Sequence, residues 1–264
     1  MSTLIMKFGG ASVASPDLFA NCASIILKKS KSYDRIVVVV SAMKGMTDQL
    51  IQLALKVNTS PQPRECDMLL SVGERISMSL LAMALGKKDK EAASFTGSQS
   101  GIITCQDHTN AKIIDVNPYR ILPHLNDKKI VIVAGFQGVS RNAEITTLGR
   151  GGSDTTAVAL GVSLRAELVE FYKDVPGVFS EDPHSNASAT LYSTLTYDKA
   201  IGIVKGGAQV LHERCIHLAK KNELPLRVVT FKDLGEKSVE GGTYIRGGTG
   251  VPRPQASYEE ENKE

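Results

Sequence analysis

The feature that most constrains the fold is a run of β-branched residues early in the chain. Residues 35–41 read Arg-Ile-Val-Val-Val-Val-Ser, and an unbroken apolar run of this kind is typical of a strand covered on both faces. Before it, residues 4–8 form a short apolar run that ends in glycines, and Pro16 opens a helical pattern. A strand, a helix and a second strand in this order predict a parallel sheet with right-handed crossovers.

Strand and helix patterns continue to alternate along the whole chain, without a repeat or a linker in the middle. Further strands are predicted at 92–104, 111–116, 129–134, 166–172, 226–231 and 242–245, with a hairpin at 136–148. Helices are predicted at 46–57, 65–85, 118–125, 153–164 and 197–221, the last with a break at its glycines. This alternation predicts an α/β fold. Residues 246–264 are rich in Gly, Pro and charge, so we expect a disordered tail there.

Composition narrows the functional classes. The chain has 31 Lys and Arg against 28 Asp and Glu, a balance that gives no electrostatic case for nucleic acid as a partner. Continuous apolar runs such as 36–40 are far too short to span a membrane, and no signal peptide is recognised, so we expect a cytoplasmic protein. Its four cysteines are scattered and are expected to be reduced thiols.

Two glycine-rich segments far apart in the chain each combine glycines, a cation and a hydroxyl at a predicted helix start. One is Lys-Phe-Gly-Gly-Ala-Ser at 7–12, and the other is Thr-Leu-Gly-Arg-Gly-Gly-Ser-Asp at 147–154. Glycine lets backbone N–H groups approach an anion, and a helix N-terminus adds the positive end of its dipole. One site for two anions, a nucleotide phosphate and an acidic acceptor, is the simplest interpretation. It indicates a small-molecule kinase.

Individual residues in these segments allow more than one interpretation. Lys7 could reach the β- and γ-phosphates, although an exposed lysine before a flexible turn would give the same short motif. Arg150 has a planar fork suited to a carboxylate, and Ser153 is predicted to cap the following helix. Asp154 could orient lysines or a hydrated magnesium ion, or it could serve only as a helix cap.

These segments and four others, all in the same order, closely resemble aspartate kinases of the amino acid kinase superfamily. The matching segments are 7–10 (KFGG), 41–47 (SAMKGMT), 71–74 (SVGE), 148–154 (LGRGGSD), 174–177 with 182–183 (DVPG and DP), and 207–212 (GAQVLH). The resemblance implies a three-layer αβα sandwich around a mostly parallel central sheet. It also implies that residues 1–245 form one amino acid kinase catalytic domain.

The resemblance implies phosphorylation of the side-chain carboxylate of L-aspartate by ATP. The product, 4-phospho-L-aspartate, opens the biosynthesis of lysine through diaminopimelate, and of threonine and methionine. Magnesium would be held mainly through the nucleotide phosphates, with no metal site on the protein. Two alternatives stay open: a kinase for acetylglutamate, glutamate or UMP, and a non-catalytic binding protein. The apolar faces of helices 16–29 and 65–85 could support a homodimer.

The resemblance also assigns residues to roles. The residues implied to contact the nucleotide are Lys7, Phe8, Gly9, Gly10, Ser12, Tyr172, Lys173, Asp174, Phe179, Asp182, Gln209 and Val210. Those implied to bind aspartate are Thr47, Glu74, Arg150, Gly151, Gly152 and Ser153. Within the second set, Arg150 would clamp the α-carboxylate and Glu74 would pair with the α-ammonium. Lys7, Asp154 and Lys205 are the candidate catalytic residues.

The sequence departs from the family pattern at three positions: Ala11 replaces a hydroxyl residue, Gln209 a lysine and Glu213 a proline. Lys205 lies four residues before Gln209, so it could replace the missing lysine if the helix continues, or it could be a surface lysine. The family commonly continues into two small regulatory ACT domains. The 19 residues after Ile245 cannot form one, so we expect no such domain in residues 1–264 and no feedback inhibition of this chain by lysine.

Overall fold

The computed structural model describes residues 1–181, 186, 188–232, 241–248 and 253–260. Its strands, numbered along the chain, are β1 (Thr3–Phe8), β2 (Arg35–Val40), β3 (Ala92–Phe95), β4 (Ile102–Thr104), β5 (Ile113–Val116), β6 (Ile130–Ala134), β7 (Gln137–Ser140), β8 (Ile145–Thr147), β9 (Leu168–Lys173), β10 (Thr194–Leu195), β11 (Leu226–Thr230) and β12 (Thr243–Ile245). Its α-helices are α1 (Pro16–Lys29), α2 (Met46–Val57), α3 (Pro63–Leu70), α4 (Val72–Gly86), α5 (Leu122–Asn126), α6 (Gly152–Ser163), α7 (Tyr197–Lys205) and α8 (Glu213–Lys221).

A central sheet of eight strands organises the molecule, in the order β10-β12-β11-β9-β1-β2-β6-β3. Neighbouring strands are parallel except for β11 and β12, which confirms the predicted mostly parallel sheet. Strand β1 lies at the centre between β2 and β9. The carboxyl ends of parallel strands share one edge, and ligands of open α/β sheets bind beyond that edge. The loops that follow β1, β2, β6 and β9 therefore surround one place.

The alternation of side chains along β1 separates two cores, one on each face of the sheet. Ile5 belongs to the core on the side of α6, whereas Leu4 and Phe8 belong to the core on the side of α1 and α4. Because side chains alternate between faces, Lys7 lies on the same face as Ile5. Helices on both faces of the sheet complete the expected three layers. The Lys7 side chain lies on the face that α6 covers.

Three features differ from the sequence-based expectations. The single helix expected at 65–85 is two helices, α3 and α4, which join at Ser71. Strands β5, β4, β7 and β8 form a separate sheet of four strands, because the predicted hairpin 136–148 pairs with β4 rather than with the central sheet. The expected disorder of residues 246–264 is wrong for 253–260, which hydrogen-bond to α8 and to β5. The four cysteines are free, as expected.

Helices α3 and α4 form the one segment among the described residues that is long and apolar enough to cross a membrane. This segment has 24 residues and a mean hydropathy of 1.5. Leu81 and Leu85 are fully buried against the sheet, and the charged side chain of Glu74 is buried in the same segment. One side of this segment therefore packs inside the domain.

A buried ion-pair network ties the central sheet to α1. The Glu170 carboxylate is fully buried and accepts hydrogen bonds from Lys29 Nζ (2.7 Å), Arg227 Nη1 (3.0 Å) and Tyr172 Oη (2.7 Å). Two cations and a hydroxyl thus compensate one carboxylate inside the protein, and removal of the carboxylate leaves them buried without it.

Replacement of Glu170 by alanine is expected to lower the free energy of unfolding by about 3–5 kcal/mol, because two cations lose their buried counter-charge. Urea denaturation followed by circular dichroism measures this change. Glu167→Ala is the matched control, since Glu167 is exposed on the preceding turn. Equal stability of the two variants would contradict the role assigned to the network.

Candidate active site

An ion pair joins the two glycine-rich segments. Lys7 Nζ lies 2.5 Å from Asp154 Oδ1, and Lys173 Nζ lies 3.3 Å from Asp154 Oδ2. Lys7 comes from β1, Asp154 from the first turn of α6 and Lys173 from the end of β9. Three elements remote in sequence therefore meet at the carboxyl edge of the sheet, with two lysines around one carboxylate.

The charges in this cluster are strongly coupled. Burial raises the pKa of the Asp154 carboxyl, but Lys7 and Lys173 outweigh burial and hold that pKa at about 2. Burial also lowers the pKa of the Lys7 ammonium, and Asp154 opposes this change. With all three groups ionised, the cluster carries one net positive charge, which favours an approaching phosphate. Asp154 therefore lies between the two lysines and pairs with both of them.

The loop after β1 is shaped by backbone contacts. Gly9 begins a short 3-10 helix, Gly10–Val13, and a side chain at Gly9 would come within 3.7 Å of Lys7 Nζ. A side chain at Gly10 would come within 2.9 Å of the Ala42 carbonyl, so glycine allows the loops after β1 and β2 to touch. The buried Ser12 hydroxyl donates to the Gly9 carbonyl at 2.6 Å, so Ser12 stabilises the turn itself.

Two aromatic residues implied to contact the nucleotide have their side chains in the core. Phe8 and Tyr172 stack with ring centroids 4.5 Å apart, and both are buried. The Tyr172 hydroxyl donates to Glu170, within the network described above. These two residues can therefore offer only their backbone to a nucleotide.

Residues 150–153, which are expected to bind the acceptor, lie in and directly after the loop 148–152, which we name the acceptor loop. Gly149 and Gly151 have φ values of +71° and +72°, a conformation that L side chains rarely adopt. A side chain at Gly151 would collide with the His212 ring, 2.2 Å away. The predicted cap at Ser153 is wrong, because the capping position is Gly151 and helix α6 begins at Gly152.

Arg150 in the acceptor loop and Ser153 directly after it differ in the exposure of their side chains. Arg150 is exposed, so its guanidinium is available to a carboxylate from solvent. Ser153 is 8% exposed and lies against Gly135 at the end of β6, where an added Cβ would be 2.8 Å from Ser153 Cβ. The loop thus presents a cation and the first backbone N–H groups of α6 at the same sheet edge as Lys7.

Glu74 supplies a buried negative charge beside this edge. Its side chain is 3% exposed; Oε1 accepts a hydrogen bond from the Ala42 N–H at 3.0 Å, and Oε2 has no partner among the described residues. Burial raises the pKa of the Glu74 carboxyl to about 7. A buried carboxylate with a free oxygen favours a cationic ligand, because a positive charge would offset its desolvation. Thr47 lies half-buried in the first turn of α2, which follows the loop whose Ala42 contacts Glu74.

Four further residues implied to bind the nucleotide lie in the segment after β9 and in the turn between α7 and α8. Asp174 and Gln209 are exposed, and Phe179 is half-buried and forms a β-bridge with Leu191. Val210 packs against the core, which leaves its backbone as the group available to a ligand. Asp182 lies outside the described residues.

The structure overturns the helical argument that linked Lys205 to Gln209. Helix α7 ends at Lys205, and the chain turns through Gly206 and Gly207, the latter with a φ of +108°. Gln209 is therefore not one helical turn beyond Lys205 on a common face. Lys205 is 61% exposed, and its ammonium lies 3.9 Å from Glu213 Oε2.

Sequence reasoning missed Asp67, which is fully buried in α3. Its carboxylate accepts hydrogen bonds from the Thr109 N–H (3.1 Å) and the Thr147 hydroxyl (2.5 Å), and it also contacts His108 Nδ1. Asp67 thereby ties α3 to the residue that precedes the acceptor loop. An acidic residue in an amphipathic helix pattern usually predicts a solvated surface, so only the fold could reveal this role.

The donor atoms at the site do not form a protein cage for a metal ion. No group of three or more His, Cys, Asp or Glu side chains in the described part of the chain could hold one. Asp154, the acidic residue beside Lys7, already binds two ammonium groups.

Comparisons with known proteins show which family this chain resembles in sequence and fold. Residues 2–230 match the model of the amino acid kinase family. An aspartokinase from Bacillus sp. (strain MGA3) is 46% identical over 239 residues, which are 90% of this chain and 58% of that protein, so the chain spans little more than half of such a relative. The aspartate kinase from Synechocystis matches with a TM-score of 0.83 and 38% identity, over 97% of this chain and 41% of that one.

A second similar structure is Escherichia coli aspartokinase III in complex with aspartate and ADP. It matches with a TM-score of 0.81 and 27% identity, over 94% of this chain and 65% of that protein. The family model covers most of the sequence, including the loop after β1 and the acceptor loop. This chain therefore belongs to the amino acid kinase family.

Proposed function

We propose that this chain catalyses the transfer of the γ-phosphoryl group of ATP to the side-chain carboxylate of L-aspartate. The observation that carries the proposal is the pairing of two complementary charge sites at one sheet edge. The Lys7–Asp154–Lys173 cluster has a net positive charge suited to phosphates, and one oxygen of buried Glu74, which has no hydrogen-bond partner within the described part of the chain, suits an ammonium group. The similar E. coli aspartokinase III binds aspartate and ADP.

Charge complementarity favours aspartate as the acceptor. Its α-ammonium would pair with Glu74, and one of its carboxylates would meet the exposed guanidinium of Arg150 and the N–H groups at the start of α6. Acetylglutamate lacks a free ammonium group and UMP has no amino group of this kind, so each would leave Glu74 buried without a partner. Glutamate has the same charges and differs by one methylene, which a pocket discriminates only modestly.

In the proposed reaction, a side-chain carboxylate oxygen of aspartate attacks the γ-phosphorus while the bond from that phosphorus to the bridging oxygen of ADP breaks. No general base is required, because a carboxylate with an ordinary pKa is already ionised at neutral pH. Lys7 stabilises the charge that spreads over the transferred group, and Asp154 holds Lys7 in place. We infer that Mg²⁺ enters with ATP and is held mainly by its phosphates.

A coupled assay of ADP release tests the proposal with aspartate, glutamate, acetylglutamate and UMP as separate acceptors. Turnover that requires aspartate, together with hydroxamate detection of the acyl phosphate, is the expected result. ATP binding without turnover on any acceptor would instead support the non-catalytic alternative, for which Ala11 and Gln209 are the motivating departures.

Lys205 remains a candidate catalytic residue, although its support is now proximity rather than helical periodicity. It pairs with Glu213, next to His212, which packs against Gly151 of the acceptor loop. If Lys205 assists the phosphates, Lys205→Ala will lower kcat at least about 10-fold. Lys220→Ala, which removes an exposed lysine paired with Asp198, is the control. Equal and small effects of both variants would remove Lys205 from the mechanism.

We infer a cytoplasmic location and, for the assembly, a homodimer formed through α3 and α4. The apolar face of α1 is used inside the domain, since Phe19, Cys22 and Ile26 belong to the core. By contrast, α4 and the adjoining α3 expose the apolar side chains of Met68, Val72, Ile76, Leu80 and Met83. Light scattering coupled to size-exclusion chromatography measures the mass in solution. A monomer at all concentrations would contradict the dimer.

A further inference from the structure

Residues 253–260, which we name the strap, lie across the face of the domain behind the acceptor loop. The Arg253 guanidinium donates to the carbonyls of Ala166 and Glu167. The Ser257 N–H donates to Asn222 Oδ1 at 2.9 Å, and Asn222 Nδ2 donates back to the Ser257 carbonyl at 2.7 Å. The strap is thus fixed at several points to the loops that flank β9 and α8.

Glu259 connects the strap to β5 in two directions. Its N–H donates to the Ile113 carbonyl at 3.0 Å, and its Oε2 accepts from the Ile113 N–H at 2.8 Å. The same carboxylate pairs with Nε and Nη2 of Arg214, the second of these at 2.7 Å. Glu259 is 15% exposed, whereas the neighbouring Glu260 is 91% exposed. The pair is therefore a partly buried, bidentate ion pair rather than a solvated surface contact.

Arg214 carries this connection to the acceptor loop. Its Nη1 donates to the Leu148 carbonyl and its Nη2 to the Ala111 carbonyl, both at 2.6 Å. Leu148 is the first residue of the acceptor loop. One guanidinium therefore joins the strap, the loop before β5 and the start of the acceptor loop, in a way that only a planar fork with several donors can achieve.

The side chains and backbone that pack against Gly149 and Gly151, the two glycines with positive φ, lie on the elements that Arg214 joins. Thr109 and Asn110, which precede Ala111, fill the space beside Gly149, and His212, two residues before Arg214, fills the space beside Gly151. The His212 ring also accepts the Arg214 N–H at 3.3 Å. Holding Arg214 in place therefore holds both supports of the acceptor loop.

We propose that Glu259 and Arg214 are positioning residues for the acceptor, and that the strap sets the geometry of the acceptor loop through them. This inference rests on the proposed function, because it assigns the loop to aspartate. Among the described residues, neither side chain hydrogen-bonds to Lys7, Asp154 or Lys173. We therefore expect their effect to fall on the acceptor rather than on ATP. Removal of Glu259 frees Arg214 from one anchor, and the acceptor loop gains conformational freedom.

The test compares Glu259→Ala with Glu260→Ala, adjacent acidic residues of which only the first reaches Arg214. For Glu259→Ala we expect KM for aspartate to rise about 10-fold, with KM for ATP within a factor of two and kcat reduced less than KM is raised. Glu260→Ala is expected to match the wild-type protein. Arg214→Lys, which keeps the charge and loses the fork, is expected to behave like Glu259→Ala.

Hydrogen exchange of the ligand-free protein provides a readout that needs no catalysis. Amides of residues 148–153 are expected to exchange about 10-fold faster in Glu259→Ala than in Glu260→Ala, while amides of 7–13 exchange at equal rates. Unchanged exchange at 148–153 overturns the inference even if the enzyme is active.

Absence of aspartate-dependent turnover in the wild-type protein would defeat the proposed function instead, and the exchange result would still decide whether the strap holds the loop. An equal rise in both KM values would also overturn the inference, since it would indicate a general loss of structure.

Discussion

Replacement of Lys7 by methionine is expected to lower kcat for aspartate phosphorylation about 1,000-fold. Lys7 as a residue is 5% exposed, and its ammonium group lies beside Gly9 in the loop after β1. There it would meet the γ-phosphate. Charge on this group is greatest in the transition state, so the loss should fall on kcat more than on KM for aspartate. Methionine has a similar length without charge, and Asp154 keeps Lys173 as a counter-ion.

Lys28→Met is the matched control, because Lys28 is exposed on α1. Both variants should be measured at saturating ATP and aspartate, with circular dichroism to establish that they fold. A decrease smaller than about 10-fold in Lys7→Met, with unchanged ATP affinity, would remove Lys7 from the centre of the mechanism.

Replacement of Glu74 by glutamine is expected to raise KM for aspartate about 100-fold at pH 8, because a charge-assisted hydrogen bond to the α-ammonium is lost. Glutamine keeps the shape of the side chain and can still accept from the Ala42 N–H. KM for ATP should change little, since the phosphate cluster is formed by other residues. Glu65→Gln serves as the control, because the Glu65 side chain is 59% exposed. An unchanged KM for aspartate would contradict the ammonium assignment.

The same residue predicts how activity depends on pH. Only ionised Glu74 can pair with an ammonium, and burial raises its pKa to about 7 in the ligand-free protein. The kcat/KM for aspartate should therefore fall as pH decreases below 7, and Glu74→Gln should lose this dependence between pH 5.5 and 8. The two carboxyl groups of free aspartate titrate well below this window, so they do not produce the effect.

The free energy of unfolding of the ligand-free protein should fall as pH rises, whereas kcat/KM for aspartate should increase. Because its pKa is raised on folding, Glu74 is protonated more readily in the folded state, and its burial destabilises the ligand-free protein increasingly as pH rises from about 4.5 to 7. Glu74→Gln should therefore gain in thermal midpoint relative to the wild-type protein between pH 5 and pH 8. A gain that is the same at both pH values would indicate a packing effect instead.

Much of the fold follows from local patterns. The β-branched run of β2 is typical of a strand covered on both faces, and Pro16 marks the beginning of α1, as the structure reproduces. The structure begins α3 at Pro63, two residues before the predicted start. The glycine-rich segments predicted that two remote loops meet, and the ion pair of Lys7 with Asp154 joins them. The glycines also predicted the break in the helix 197–221, on which the helical argument for Lys205 depended.

Other parts of the site depend on distances between residues remote in sequence. Nothing local indicates that Phe8 and Tyr172 stack in the core, that Asp67 binds Thr147, or that Arg214 reaches Leu148. Burial of a charged group is decided by the partners the whole fold brings to it. A pattern of polar and apolar residues cannot supply those partners.

The sequence alone determined that this chain forms a parallel α/β sheet and that two glycine-rich loops follow its elements, because strand burial and backbone approach are local properties of residue type. Only the tertiary structure decided which charges meet. It placed Asp154 between Lys7 and Lys173, left Glu74 with a free buried oxygen, and tied residue 259 to the acceptor loop. Such pairings depend on how strands remote in sequence align at one sheet edge, and that alignment arises only when the cores on both faces pack together.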